Sequence, residues 1–125
     1  MMKTVSRICL AAAAMLLLFG GVVHTGAFQK AVAVVSASDL TPFFAKTFKA
    51  LWLIDSTMVL TSAIIFGVVA FRPAMASKAV VALVGLMPAV VAVLLYSFVG
   101  AIVPAHLLLV ASGLAFAGAL LHTNA

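Results

Sequence analysis

From Ala79 to the C-terminus the chain carries no Asp, Glu, Lys or Arg. Two long apolar runs lie end to end there, Ala79 to Val99 and Pro104 to about His122, parted only by Gly100 to Pro104. About 20 apolar residues coiled as a helix cross the ~30 Å hydrocarbon core of a bilayer. A helix is the form such a run must take in lipid, because each backbone N–H and C=O then finds its partner inside the segment. The whole chain agrees: it is 67% hydrophobic and 7% charged, whereas soluble domains carry about 25% charged residues. Folding alone cannot hide that much apolar surface from water, so lipid is the solvent for most of it.

Two more runs precede these. Ile8 to Phe28 follows Lys3 and Arg7 and meets no charge before Lys30. A basic start, an apolar centre and small residues at Thr25 and Ala27 also resemble a cleavable signal peptide over residues 1–27; a retained first span is the expectation. The second helix starts at Asp39 or Thr41 as N-cap with Pro42 in its first turn, where the missing N–H costs nothing. It ends at Arg72-Pro73, since proline disfavours helical geometry in the residue before it. The expected spans are 8–28, 49–71, 79–99 and 104–122, in one integral membrane domain covering 1–125. The fold expected is an all-α four-helix transmembrane bundle, with a helix or extended connection between spans one and two. Pro88 falls inside the third span and frees the carbonyl of Val84. Gly20 and Gly21, and small-residue pairs such as Gly85 with Ala89 and Ala111 with Ala115, permit close helix approach.

The net charge of +5 does not indicate nucleic acid. Lys3, Arg7, Lys30, Lys46, Lys49, Arg72 and Lys78 punctuate the apolar runs and form no stripe with interleaved aromatics. With four spans, Lys3, Arg7, Arg72 and Lys78 share one side and flank short ends and links, where the positive-inside rule acts most strongly. Both termini are therefore expected in the cytoplasm, and the membrane to be a bacterial inner (plasma) membrane. Reporter fusions at Ala125 and near Ser36 should then report opposite sides. Matching sides, or a mature N-terminus near Phe28, would contradict four spans.

Asp55 is the chemically notable residue. It sits within Leu51-Trp52-Leu53-Ile54-Asp55-Ser56-Thr57-Met58, and Asp39 is the one other acidic residue. A carboxylate at membrane depth costs about 2.5–3.5 kcal/mol on insertion scales and faces a partner or a wet cavity. Depth counting puts His24, Asp55, Tyr96, Ser97 and His106 at one level, near the outer ends of the four spans. These five are the candidate binding residues. A His–Asp pair among them could relay protons. His24 and His106, on different helices, could hold haem iron or a divalent metal. The plainer reading is that the histidines and Tyr96 mark the interface and Asp55 fixes packing. Phe43, Phe44, Phe48 and Trp52 read as an interfacial aromatic belt, and His122 as a cation near a helix C-terminus.

Soluble-enzyme motifs are absent, and with two Asp and no Glu paired-carboxylate catalysis is nearly excluded. Small multidrug exporters, fluoride channels and DoxX-like proteins share this length and span number, but the chain lacks the span-one glutamate of the first and the asparagine in a glycine-rich span of the second, and no family is assigned. The single cysteine, Cys9, allows no intramolecular disulfide. Three roles remain: a non-enzymatic accessory or assembly subunit with other membrane subunits or further copies as partners, an oligomeric transporter or channel with a proton- or ion-coupled site at Asp55, His24 and His106, and a bis-His haem or metal protein.

Overall fold

The computed structural model of the protein describes residues 2–122. Five α-helices follow one another: α1 Met2–Gly26, α2 Phe28–Ser36, α3 Pro42–Phe71, α4 Lys78–Phe98 and α5 Val103–Leu120. A 3-10 turn, Pro73–Met75, lies between α3 and α4. Four helical units are long and apolar enough to cross a membrane, α1 and α2 counting together as one bent unit. The protein is a four-helix transmembrane bundle.

The helix ends follow from their residues. Between spans one and two the connection is helical as far as Ser36 and irregular over 37–41. Ala27 N–H bonds the Val23 carbonyl at 3.0 Å and Ala31 N–H bonds the Ala27 carbonyl at 3.1 Å, so the ladder runs through the bend from α1 into α2. Thr41, not Asp39, is the N-cap of α3, with extended backbone and Pro42 behind it, but its side chain makes no capping bond. Ser77 caps α4 by accepting from Val80 N–H at 3.3 Å. Gly100 has φ of +103° in the turn between α4 and α5, a backbone region that residues bearing a Cβ rarely adopt.

α1 is the central helix. It lies against both α3 and α5, α4 lies against α5, and α3 scarcely touches α4. The order around the bundle is therefore α3, α1, α5, α4, with an open seam between the two helices that the short link Arg72–Ser77 joins. Lipid tails are as apolar as leucine, so association depends on van der Waals fit rather than on escape from water. Leu10, Leu17, Phe66 and Val81 are almost wholly buried at these contacts. At Gly21 an added Cβ would lie 2.7 Å from Leu60 Cδ2, and at Gly118 one would lie 2.7 Å from Leu10 Cγ. These two glycines set the α1–α3 and α1–α5 separations. A Cβ at Gly85 would meet that of Ala115 at 3.3 Å, so the α4–α5 contact is also built on small residues. Gly113 has nothing within 4 Å and takes no part.

Buried polar groups at the seams find partners. Pro88 offers no N–H to Val84, and one residue on, the Gly85 carbonyl accepts from Ser112 Oγ of α5 at 2.7 Å. At the opposite end from Asp55, Ser6 Oγ donates to the Gly118 carbonyl at 2.7 Å. Arg7 Nε donates to the Ala70 carbonyl at 2.7 Å, a cation at the C-terminal end of α3 where the helix dipole favours it. His122 does not serve its own helix end. Its Nε2 reaches the Ala76 carbonyl, 2.9 Å away in the link before α4, because the last turn of α5 ends beside that link.

Candidate functional site

Arg7 is tied to Ala70, and this fixes the depth of everything above it. His24 lies 17 residues beyond Arg7 on α1, and Asp55 lies 15 residues before Ala70 on α3. At 1.5 Å per residue these are rises of about 25 Å and about 22 Å, so the two side chains share one level. In a ~30 Å core with Arg7 at one boundary, that level lies a few ångströms short of the other.

On α3, Trp52, Asp55, Ser56 and Val59 fall at i, i+3, i+4 and i+7, which is one helix face. Val59 lies against α1 at Gly21, which directs the other three toward His24. The His24 ring stacks on the Trp52 indole, centroids 4.3 Å apart and planes at 10°. Trp52 Nε1 donates to the His24 carbonyl at 3.0 Å. Ser56, 3% exposed, donates its one proton to the Trp52 carbonyl at 2.9 Å. Its Oγ is then an acceptor for the His24 Nδ1, 2.8 Å away. This donor count assigns the Nδ1 proton of His24. His24 Nε2 stands 3.7 Å from Asp55 Oδ2. That distance is too long for a direct hydrogen bond, and one water between the two atoms would bridge them.

The pair is not sealed: the side chains are 30% and 38% exposed. Asp55 also lines a narrow cleft of about 20 Å³ in the seam, with Met58, Val59 and Ser62 of α3, Met87, Pro88 and Val91 of α4, and Leu17 and Leu108 as its floor. That volume holds about one water. Met58 and Met87 give the cleft flexible, adaptable walls.

The five candidate residues thus divide. His24 and Asp55 meet across α1 and α3. Tyr96 and His106 meet across α4 and α5, with the hydroxyl 2.5 Å from Nδ1 and the rings edge to face at 5.4 Å. Ser97 bonds back to the Val93 carbonyl of its own helix at 2.8 Å and joins neither pair. His24 and His106 thus each have Nδ1 engaged, by Ser56 and by Tyr96, which leaves Nε2 as the nitrogen a metal or haem iron would use. Among the described residues, no group of three His, Cys, Asp or Glu side chains is placed to hold a metal ion.

Two roles escaped the sequence reading. Trp52 is the platform for His24 as well as a neighbour of Phe48, 5.8 Å away, and Ser56 sets the imidazole's proton. Their spacing from Asp55 was the available signal.

The fold and this arrangement define the class, a four-span helical membrane protein with a polar pair at one end of its central helix contact. Comparison with protein-family models, with curated proteins and with solved structures finds no match.

Proposed function

We propose that this protein is a non-enzymatic accessory or assembly subunit of a bacterial inner membrane, with both termini cytoplasmic, and that the α3–α4 seam receives a transmembrane helix of a partner protein. One observation carries the reading: α3 and α4, joined by a short link, leave between them an apolar cleft into which a single carboxylate opens. Leu17, fully buried, and Leu108 close the cleft on its inner side. Charge complementarity selects the occupant. A carboxylate at membrane depth favours a facing donor, and a second copy brings no Lys or Arg to the seam, since none lies deep in a span. A different protein with a donor at the level of Asp55 fits.

The test is the size of the native assembly. Extracted from its own membrane into polymer nanodiscs, the wild-type chain should run in a particle larger than itself. Asp55→Leu should shift it to the size of the free chain at unchanged abundance. A wild-type particle of free-chain size contradicts the proposal.

The approach of His24 Nε2 to within 3.7 Å of Asp55 Oδ2 favours a second reading, a proton-coupled site. Under it, proteoliposomes should dissipate a pH gradient with the wild type and not with His24→Gln. Equal rates for both remove it.

A further inference from the structure

We propose that the cavity at the Arg7 end of the bundle binds a phosphate group, and that the group is the headgroup of an anionic phospholipid. The cavity has a volume of about 100 Å³ and is lined by Lys3, Ser6, Arg7, Leu10, Val69, Pro73 and His122. At 10–15 Å³ per water position this is room for several waters, enough for a phosphorus atom and its oxygens. Leu10 and Val69 give it a dry floor. Lys3 and Arg7 are exposed at this end, and His122 is 7% exposed in its wall.

The donors are already partly arranged. Arg7 Nε is held by the Ala70 carbonyl, which fixes the guanidinium plane and, among the described residues, leaves both terminal nitrogens to a ligand. Arginine's planar fork suits phosphate oxygens, two at a time. Lys3 adds a mobile point charge. Ser6 is spent on Gly118 and contributes shape alone. Asp55, the one aspartate on α3, is about 22 Å from Ala70 along the helix, so it does not offset the positive field here.

The lipid source follows from where the cavity sits. It lies at the end of the apolar helices, and exposed apolar side chains stand nearby in the chain: Ile8 next to Arg7, and Phe71 next to Ala70, whose carbonyl holds Arg7. A phospholipid whose phosphate enters the cavity can lay its acyl chains along such surface. Basic recesses between membrane helices hold anionic headgroups in this way.

The experiment uses the full-length protein in neutral detergent, with phosphatidylglycerol, phosphatidylcholine and inorganic phosphate as probes. Lipid retention is read by native mass spectrometry, and the unfolding midpoint by heating. Phosphatidylglycerol should be retained as one molecule per chain and raise the midpoint; phosphatidylcholine should do neither. Lys3→Gln breaks no hydrogen bond among the described residues and should weaken retention about fivefold, the effect of one basic residue near an anionic surface. Arg7→Lys, which keeps the charge and loses the fork, should weaken it further. Lys78→Gln, a basic residue outside the cavity lining, should leave it unchanged. Equal retention of the two lipids, or equal losses from Lys3→Gln and Lys78→Gln, would overturn the site. Displacement of phosphatidylglycerol by millimolar inorganic phosphate would keep the phosphate site and overturn the lipid as its occupant.

Discussion

Gly118→Val should loosen the bundle by about 1–3 kcal/mol, the range for forcing extra carbon into a filled core. The first added carbon already lies 2.7 Å from Leu10 Cγ and Cδ2, and 3.3 Å from the backbone oxygen of Ser6. Leu10 can turn its Cδ2 toward the cavity at the Arg7 end, but its branch point Cγ and the Ser6 backbone stay in the way, so α1 and α5 must move apart. That separation also strains the Ser6–Gly118 hydrogen bond. Gly113→Val, five residues earlier with nothing within 4 Å, should change stability by less than about 0.5 kcal/mol. Reversible unfolding in bicelles measures both. Leu10→Ala should recover part of the loss in the double variant, with a coupling of about 0.5–3 kcal/mol. Equal effects at 113 and 118 would mean that the α1–α5 contact is not set by this close approach.

The two halves of the polar pair should respond unequally. Asp55→Leu removes a charge from lipid depth and leaves His24 with Ser56 and Trp52, its better partners by geometry at 2.8 Å and in a 4.3 Å stack. Folding should be unchanged or improved, since replacing a polar group in an apolar setting is often neutral or favourable. His24→Leu takes away the ring that Ser56, Trp52 and Asp55 all face. It should cost about 1–2 kcal/mol, from the lost Nδ1–Ser56 hydrogen bond and the lost stack on Trp52, and adding Asp55→Leu should return part of it. Comparable accumulation of the two single variants would show that His24 does not organise this end of the bundle. An Asp55→Leu chain that fails to accumulate, and is restored by packing changes alone, would make Asp55 a structural residue.

Much of the architecture is legible in the charges. Arg7, Lys30, Lys49 and Arg72 bound the first two apolar runs and Lys78 opens the third, while the third and fourth are parted by Gly100 and Pro104 without a charge; Pro42, Pro73 and Gly100 mark three helix ends. Asp55 stands out for the same reason, as a carboxylate in an apolar run. Depth counting puts His24, Tyr96 and His106 at its level, but rise along a helix carries no information on direction around it. That is why the pairing of His24 with Asp55, and of His106 with Tyr96, emerges only once α1 lies between α3 and α5. Helix order is illegible for a related reason. A short link makes α3 and α4 neighbours in sequence, yet their contact depends on which faces carry small residues, and Gly21 and Gly118 draw both α3 and α5 onto α1 instead. In an alanine-rich chain, Gly118 looks like any other small residue until Leu10 is seen against it. His122 shows the limit of reading ends locally: its partner, Ala76, is 46 residues away.

The seam is the place where the account can be tested most directly. A photoreactive phenylalanine analogue placed at Met58 or Met87, both on the α3–α4 cleft, should crosslink to one and the same protein. That adduct should disappear when Asp55→Leu is introduced. The same probe at Phe19 or Val110, exposed on α1 and α5, should label lipid. Protein adducts of equal yield from all four positions, or lipid adducts alone from 58 and 87, would contradict a partner helix in the α3–α4 seam.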